Sequence, residues 1–446
     1  MKAAAFARDT ALTLVARVIG FGLALLSSVV IARALGPDGT GIYTLATLFP
    51  LLILTLTSLG IGPATVYYVA QDKYPLKEVL GNNVILSAIV GVAATLLGLL
   101  TLVVLQGRIF PDVAPSYLGL ALLLVPVYLF SQQYINQILL GARRIKEFNA
   151  ISVLQKLLFL LILLITTVSL GLGVAGAIWA SILSSALLCV LLFPWVRKIA
   201  GGVLFRPNLA YIRDVLRYGV KAHLGNIVGF LNYRIEVFML GAFLPVSAVG
   251  FYSVAVVLAE KLWFVSESAS TVLFPTVAAE KDEQQRKTFT PLVSRNILLI
   301  TAIGAAVLFL VSQWIVVLLY SEEYLPTVQL FRILLPGIVF LSAGRILAND
   351  IAGRGKPLLN TYVGATGVAI QVALNLVWIP KYGTVGAAWA TTIGYGITLG
   401  VRLWLYIKLS GNSLAKVIVP QSSDWMLYRQ LARLAWGRVR GQVGQP

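Results

Sequence analysis

Long apolar runs follow one another almost without pause from residue 11 to residue 407. A membrane-crossing helix needs about 20 consecutive apolar residues, and these runs reach or exceed that length. They are too long and too closely spaced for membrane β-strands of about ten residues. In lipid a helix satisfies its own backbone polar groups, so helices are expected. Composition agrees: 59% of the 446 residues are hydrophobic and 12% are charged, against about 25% charged in a soluble domain. The sequence therefore predicts an all-α polytopic membrane protein. Twelve spans are expected, at roughly 11–33, 42–69, 80–105, 115–140, 151–170, 174–195, 219–241, 248–276, 292–318, 325–349, 359–379 and 384–407.

The formal net charge of +18 falls mainly on alternate connections. Lys73 and Lys77, then Arg143, Arg144 and Lys146, then six basic residues between Arg197 and Lys221 share one side with both termini. The opposite side holds only Arg108 and Lys381. This bias puts the N- and C-termini in the cytoplasm. It also makes a nucleic-acid partner unnecessary, because the charge faces anionic membrane lipids. The first apolar stretch continues past any plausible processing site and is read as helix 1 rather than a signal peptide.

The chain also repeats itself. Gly173-Val174-Ala175-Gly176-Ala177-Ile178-Trp179-Ala180 matches Gly383-Thr384-Val385-Gly386-Ala387-Ala388-Trp389-Ala390 at five of eight positions, 210 residues apart. Gly41-x-Tyr43-x-x-Ala46 recurs as Gly250-x-Tyr252-x-x-Ala255, 209 apart, and Pro126 recurs as Pro336. Such order at one period implies duplication. Six spans return the chain to its starting side, so the halves are two parallel six-helix lobes. The expected division is a lobe over 1–200, a cytoplasmic linker or interfacial helix over 201–218, a lobe over 219–410, and a basic amphipathic tail over 411–446. Pro126 and Pro336 are candidate hinges, with static packing the alternative. The glycines of the Gly-x-x-Gly-Ala-x-Trp-Ala segments are expected to allow a tight turn and close helix entry, with tryptophan at the headgroup level.

Ionisable groups inside spans are costly and mark a bundle interior or a wet cavity. The candidates for substrate binding or coupling are Arg234, Glu236 and Asn232 on span 7; Glu260, Lys261 and Glu267 on span 8; Arg332 and Arg345 on span 10; and Arg17 on span 1. Arg234 and Glu236 are two apart and point to different helix faces. Glu260 and Glu267 are seven apart and are expected to share a face. Structural ion pairing is the alternative role for these groups. Arg33, Lys156 and Arg402 are expected to snorkel towards the interface. A guanidinium binds phosphate through two parallel hydrogen bonds, which suits a lipid phosphate cargo.

No catalytic constellation appears: there is no Walker A sequence, HExxH, nucleophile elbow or paired CxxC. One cysteine, Cys189, and one histidine, His223, exclude an intrachain disulfide and multi-Cys or His-based metal sites. The chain is not expected to be an enzyme or to hold a cofactor, although coupling to H+ or Na+ is compatible with it.

The stretch Ala32-Arg33-Ala34-Leu35-Gly36-Pro37-Asp38-Gly39-Thr40-Gly41-Ile42-Tyr43, then Leu59-Gly60-Ile61-Gly62-Pro63-Ala64, resembles a known family. So does Arg234-Ile235-Glu236-Val237-Phe238-Met239-Leu240-Gly241 followed by Val249-Gly250-Phe251-Tyr252-Ser253-Val254-Ala255. This family is the polysaccharide transporter, or oligosaccharide flippase, family of the multidrug/oligosaccharidyl-lipid/polysaccharide exporter superfamily. The resemblance covers about 1–410. It implies two six-helix lobes around a central cavity, with alternating access. It also implies cytoplasmic-membrane translocation of lipid-linked oligosaccharides, usually on a polyprenyl pyrophosphate carrier, for surface polysaccharide biosynthesis. Cavity cations would hold the pyrophosphate, and partners would include a polysaccharide polymerase or glycosyltransferases. The family often has aspartate where this chain has Glu236, so reach differs there. Two other readings stay open: a cation-coupled exporter of small amphiphilic compounds, and a non-transporting membrane scaffold of a glycan-assembly complex.

Overall fold

The structure, a computed structural model, describes residues 2–105, 110–280, 282–422 and 424. Nearly all of them are helical. The elements are α1 (Lys2–Thr57), α2 (Ile61–Ala70), α3 (Leu76–Val104), α4 (Pro115–Gly141), α5 (Ile145–Ser169), α6 (Gly173–Ile199) and α7 (Leu209–Phe243). There follow α8 (Val246–Glu260), α9 (Trp263–Ala279), α10 (Glu283–Tyr320), α11 (Glu322–Gly353), α12 (Pro357–Ser410) and the short α13 (Leu414–Ile418). Among the described residues eight helices are long and apolar enough to cross a membrane, or nine if the bent pair α8 and α9 counts as one span. The all-α polytopic membrane architecture is therefore as expected, while the candidate spans among the described residues number fewer than twelve.

The lower count has a physical cause. α1 and α12 are continuous by hydrogen bonding, but each contains a break at a left-handed glycine: Gly36 at φ 65 and Gly383 at φ 59. A side chain with a Cβ is strained at such φ values. Both helices, at 56 and 54 residues, far exceed one crossing. α7 carries Asn226, Asn232, Arg234 and Glu236 and is not among the eight. Within the expected linker segment 201–218, helix α7 begins at Leu209, its start capped by the Asn208 side chain accepting from Ala210 N and Tyr211 N.

By packing, the chain divides into two compact units. The first holds Met1–Leu258, Ser312–Ile333 and Val368–Thr391. Its repeat motifs meet reciprocally. A Cβ on Gly41 would lie 1.8 Å from Val246 O, and one on Gly250 would lie 2.1 Å from Pro37 O. Val246 follows Pro37 by 209 residues, the interval that also separates Gly250 from Gly41. The neighbouring tyrosines repeat the pattern: Tyr43 Oη lies 3.0 Å from Ser181 Oγ, and Tyr252 Oη lies 3.1 Å from Thr391 Oγ1. Ser181 and Thr391 stand 210 apart. The Gly-x-x-Gly-Ala-x-Trp-Ala segments behave as expected. Gly173 and Gly383 are left-handed, and a Cβ on Gly176 or Gly386 would fall 2.8 Å from Thr166 O or 2.4 Å from Trp378 O.

The second unit holds Ala259–Val311, Leu334–Gly367 and Thr392–Pro446. Leu273, Val277, Ile297 and Ile346 form an apolar cluster in it. At one end lies a polar network. Thr290 Oγ1 donates to Asp350 Oδ2 at 2.5 Å, Arg354 donates to Asp350, and Arg354 Nη1 lies 2.6 Å from Glu283 Oε1. Asp350 thus serves a structural ion pair. The chain after α12 turns back beneath these helices. Asn412 Nδ2 donates to Lys287 O and to Tyr406 Oη, both at 3.1 Å. Val417 packs with Leu347 and Tyr406. Arg295 and Asp424 form a buried two-pronged ion pair, Nε and Nη2 each 2.6 Å from a carboxylate oxygen. The tail helix expected over 424–440 falls outside the described residues apart from Asp424.

Candidate functional site

α7 brings Arg234 to a pocket of about 230 Å³ whose other polar lining comes from Ser28, Thr40, Tyr43, Thr44 and Thr47 of α1 and Ser253 of α8. Thr40, Tyr43, Thr44 and Thr47 fall at helical spacing, which puts them on one face. Several hydroxyls donate into their own helix: Thr44 Oγ1 to Thr40 O and Thr47 Oγ1 to Tyr43 O at 2.8 Å, and Ser253 Oγ to Gly250 O at 2.9 Å. A hydroxyl that donates in this way keeps acceptor lone pairs. The pocket therefore offers acceptors to O–H groups and a guanidinium to an anion. Glu236, two residues on, is 1% exposed and is not among the residues lining this pocket. Asn232 is also buried.

A second pocket, of about 310 Å³, shares Tyr43, Thr47 and Leu51 with the first and is also lined by Gln155, Lys156 and Ser181. Lys156, an exposed side chain, also lines this pocket. Gly20 makes room for it, since a Cβ there would lie 2.7 Å from Lys156 Nζ.

The other sequence candidates go elsewhere. Arg332 Nε donates to the buried Ser312 Oγ at 2.8 Å. Arg345 lies in the second unit with its guanidinium 5.0 Å from the Trp263 ring centre, a cation–π contact. Glu260, Lys261 and Glu267 also belong to the second unit. A helix break separates Glu260, at the end of α8, from Glu267 on α9, so their seven-residue spacing does not by itself fix a common face. Arg17 is half-buried and lines neither pocket. Arg33 is exposed, and its Nε and Nη2 donate to Leu319 O at 2.7 Å and Leu318 O at 2.5 Å, capping the end of α10. Arg402 packs against Gly344, its Nη1 3.1 Å from where a Cβ would stand. α11 runs uninterrupted through Pro336, while Pro126 precedes a π-helical turn over Leu129–Ile135.

Sequence reasoning passed over two features. One is the hydroxyl face of α1, which the spacing displays. The other is Gln371 and Asn375 on α12, four apart and both fully buried, whose amide atoms have no hydrogen-bond partner among the described residues. Two polar side chains one turn apart in an apolar span were the available signal. Among the described residues no group of three or more His, Cys, Asp or Glu is placed to hold a metal.

In the loop between α2 and α3, Lys73 binds Asp214 and Tyr74 Oη donates to the same carboxylate at 2.7 Å. Lys73 first, then Tyr74, hold the Asp214 carboxyl below its ordinary range.

Comparison with known proteins agrees with this arrangement. Among solved structures, an inward closed conformation of the lipid II flippase MurJ superposes with a TM-score of 0.75 at 15% identity, covering 94% of this chain and 95% of that one. An inward-facing multidrug resistance MATE family transporter of the MOP superfamily superposes with a TM-score of 0.72 at 18% identity, covering 87% and 94%. At these identities the likeness is one of fold. In sequence, a probable low-salt glycan biosynthesis flippase of Haloferax volcanii is 23% identical over 404 residues, 88% of this chain and 81% of that protein. A putative O-antigen transporter of Shigella flexneri is 21% identical over 403 residues, 85% and 92% of the two chains. The family model described as "Polysaccharide biosynthesis protein" matches residues 6–281, more than half of the sequence, and the chain belongs to that family.

Proposed function

We propose that this protein is a flippase that carries lipid-linked oligosaccharide units across the cytoplasmic membrane by alternating access, for surface polysaccharide biosynthesis. The observation that carries the reading is Arg234, a guanidinium within a membrane helix bundle that shares its pocket with a face of hydroxyl groups. A polyprenyl diphosphate supplies an anion for the first and a sugar supplies O–H donors for the second. The flippase and transporter names of the sequence relatives support it.

The membrane arrangement belongs to the same proposal. α1 and α12 each cross twice, turning at Gly36 and Gly383; the bent pair α8–α9 crosses once; and α7 crosses despite its polar residues. With the six remaining long helices this makes twelve spans, six per repeat, with both termini cytoplasmic. The halves 1–200 and 219–410 form the two lobes, joined through 201–218, and 411–446 is the cytoplasmic tail. Anionic lipids face the basic connections, and polymerase or glycosyltransferases are the expected protein partners. H+ or Na+ is the expected coupling ion.

The test is translocation of a short polyprenyl-diphosphate oligosaccharide in proteoliposomes. Arg234→Ala should lower the rate roughly 30-fold or more, equivalent to about 2 kcal/mol, since it removes the charged partner of a desolvated phosphate. Arg234→Lys should fall between, because a point charge replaces a planar fork. Equal rates for wild type and Arg234→Ala would remove this pocket from the mechanism. Export of small organic cations, with no lipid movement, would establish the exporter reading instead.

A further inference from the structure

The second pocket carries chemistry that a neutral sugar does not need. Tyr43 Oη and Ser181 Oγ are engaged with each other at 3.0 Å. Gln155 Nε2 donates to Ser185 Oγ at 3.1 Å, which leaves its buried Oε1 with no hydrogen-bond partner among the described residues. Beside these neutral groups stands the Lys156 ammonium, in the space that Gly20 leaves by having no side chain. No Asp or Glu is among the lining residues. The pocket adjoins that of Arg234 through Tyr43, Thr47 and Leu51, so one extended headgroup can enter both.

We propose that the Lys156 pocket selects glycans bearing an acidic sugar, a uronic acid, next to the lipid diphosphate that Arg234 holds. The proposal rests on the flippase reading. A carboxylate meets the ammonium in a charge-assisted hydrogen bond, roughly twice as strong as one to a neutral hydroxyl. The unmet Gln155 oxygen and the serine hydroxyls serve the ring O–H groups. The same ammonium would also suit a phosphate of the carrier, and the test separates the two sources of anion.

Two polyprenyl-diphosphate trisaccharides would be reconstituted, identical except that the sugar next to the diphosphate is glucuronosyl in one and glucosyl in the other. The readout is the ratio of their translocation rates in one preparation, which does not depend on how much protein has folded. Wild type should favour the acidic lipid about tenfold. Lys156→Gln should bring the ratio close to one, and Lys156→Arg should keep most of it. Gly20→Ala retains the charge but displaces the ammonium, and should lower the ratio as well. A wild-type ratio near one would overturn the proposal. So would Lys156→Gln slowing both lipids alike with the ratio intact, since the lysine would then serve the diphosphate. Wild-type protein that moves neither lipid would overturn the flippase reading and this proposal with it.

Discussion

Alanine at Gly41 should destabilise the protein by about 3 kcal/mol or more, at or beyond the upper end of ordinary overpacking. The added Cβ would stand 1.8 Å from Val246 O and 3.2 Å from Gly250 N, and both are backbone atoms. No rotamer change relieves such a clash, so α1 and α8 must separate. Gly250→Ala meets Pro37 O at 2.1 Å from the opposite side and should behave alike. The two changes share one seam, so the double variant should lose less than the sum. Gly22 and Gly229 are controls, because nothing lies within 4 Å of a Cβ built on either. Alanine there should be neutral or stabilise by about 0.4–1 kcal/mol. Thermal unfolding of the purified protein in detergent decides the matter. A midpoint for Gly41→Ala equal to that of Gly22→Ala would show that the helices do not approach as described.

The second large effect concerns the tail. Asp424→Asn leaves the Arg295 guanidinium buried without its counter-charge, a loss of about 3–5 kcal/mol for such pairs. Arg295 and Asp424 side chains are 5% and 2% exposed. The remaining bonds hold less: Arg295 Nη1 to Lys416 O at 3.2 Å, and Gln421 N to Asp424 Oδ2 at 2.8 Å. The variant should release residues 411–424 to limited proteolysis, whereas replacing both partners by apolar residues of similar volume should be far milder. Arg295 first, against the opposing effect of burial, holds the Asp424 carboxyl below its ordinary range. The sign follows from that depression. The stabilisation is fully present above the unfolded carboxylate value of about 3.9 and is lost as pH falls below it through the folded value. Between pH 7 and 5 the tail should stay equally protected. Equal protease resistance of Asp424→Asn and wild type would sink this account.

Much of the fold was legible because its signals are local. Left-handed glycines at 173 and 383, and close-approach glycines at 41, 176, 250 and 386, were marked by a repeated pattern along the chain. Arg234 stood out for the same reason, as a charge in an apolar run. What the sequence hid was partnership at a distance. Nothing local shows that Arg33 caps α10 at Leu318 and Leu319. Arg345 looks like a phosphate ligand until Trp263 lies against it. Asp424 and Arg295 are 129 residues apart, and nothing local joins them. Serine and threonine are ambiguous even when well spaced, since a hydroxyl that bonds its own helix leaves the same pattern as one that meets a ligand. The break at Lys261 follows no glycine or proline, so periodicity carried a single helix through Glu260 and Glu267 where there are two.

The reciprocal seam has an evolutionary consequence. Gly41 meets Val246 as Gly250 meets Pro37, each pair joining one half to the other. Contacts in which each side gives what it receives are those of a twofold homodimer. Two copies of an ancestral half-length chain would have satisfied every one of them before fusion joined the genes. After fusion the two sides were free to diverge, which is how one half can carry Arg234 and the other Lys156.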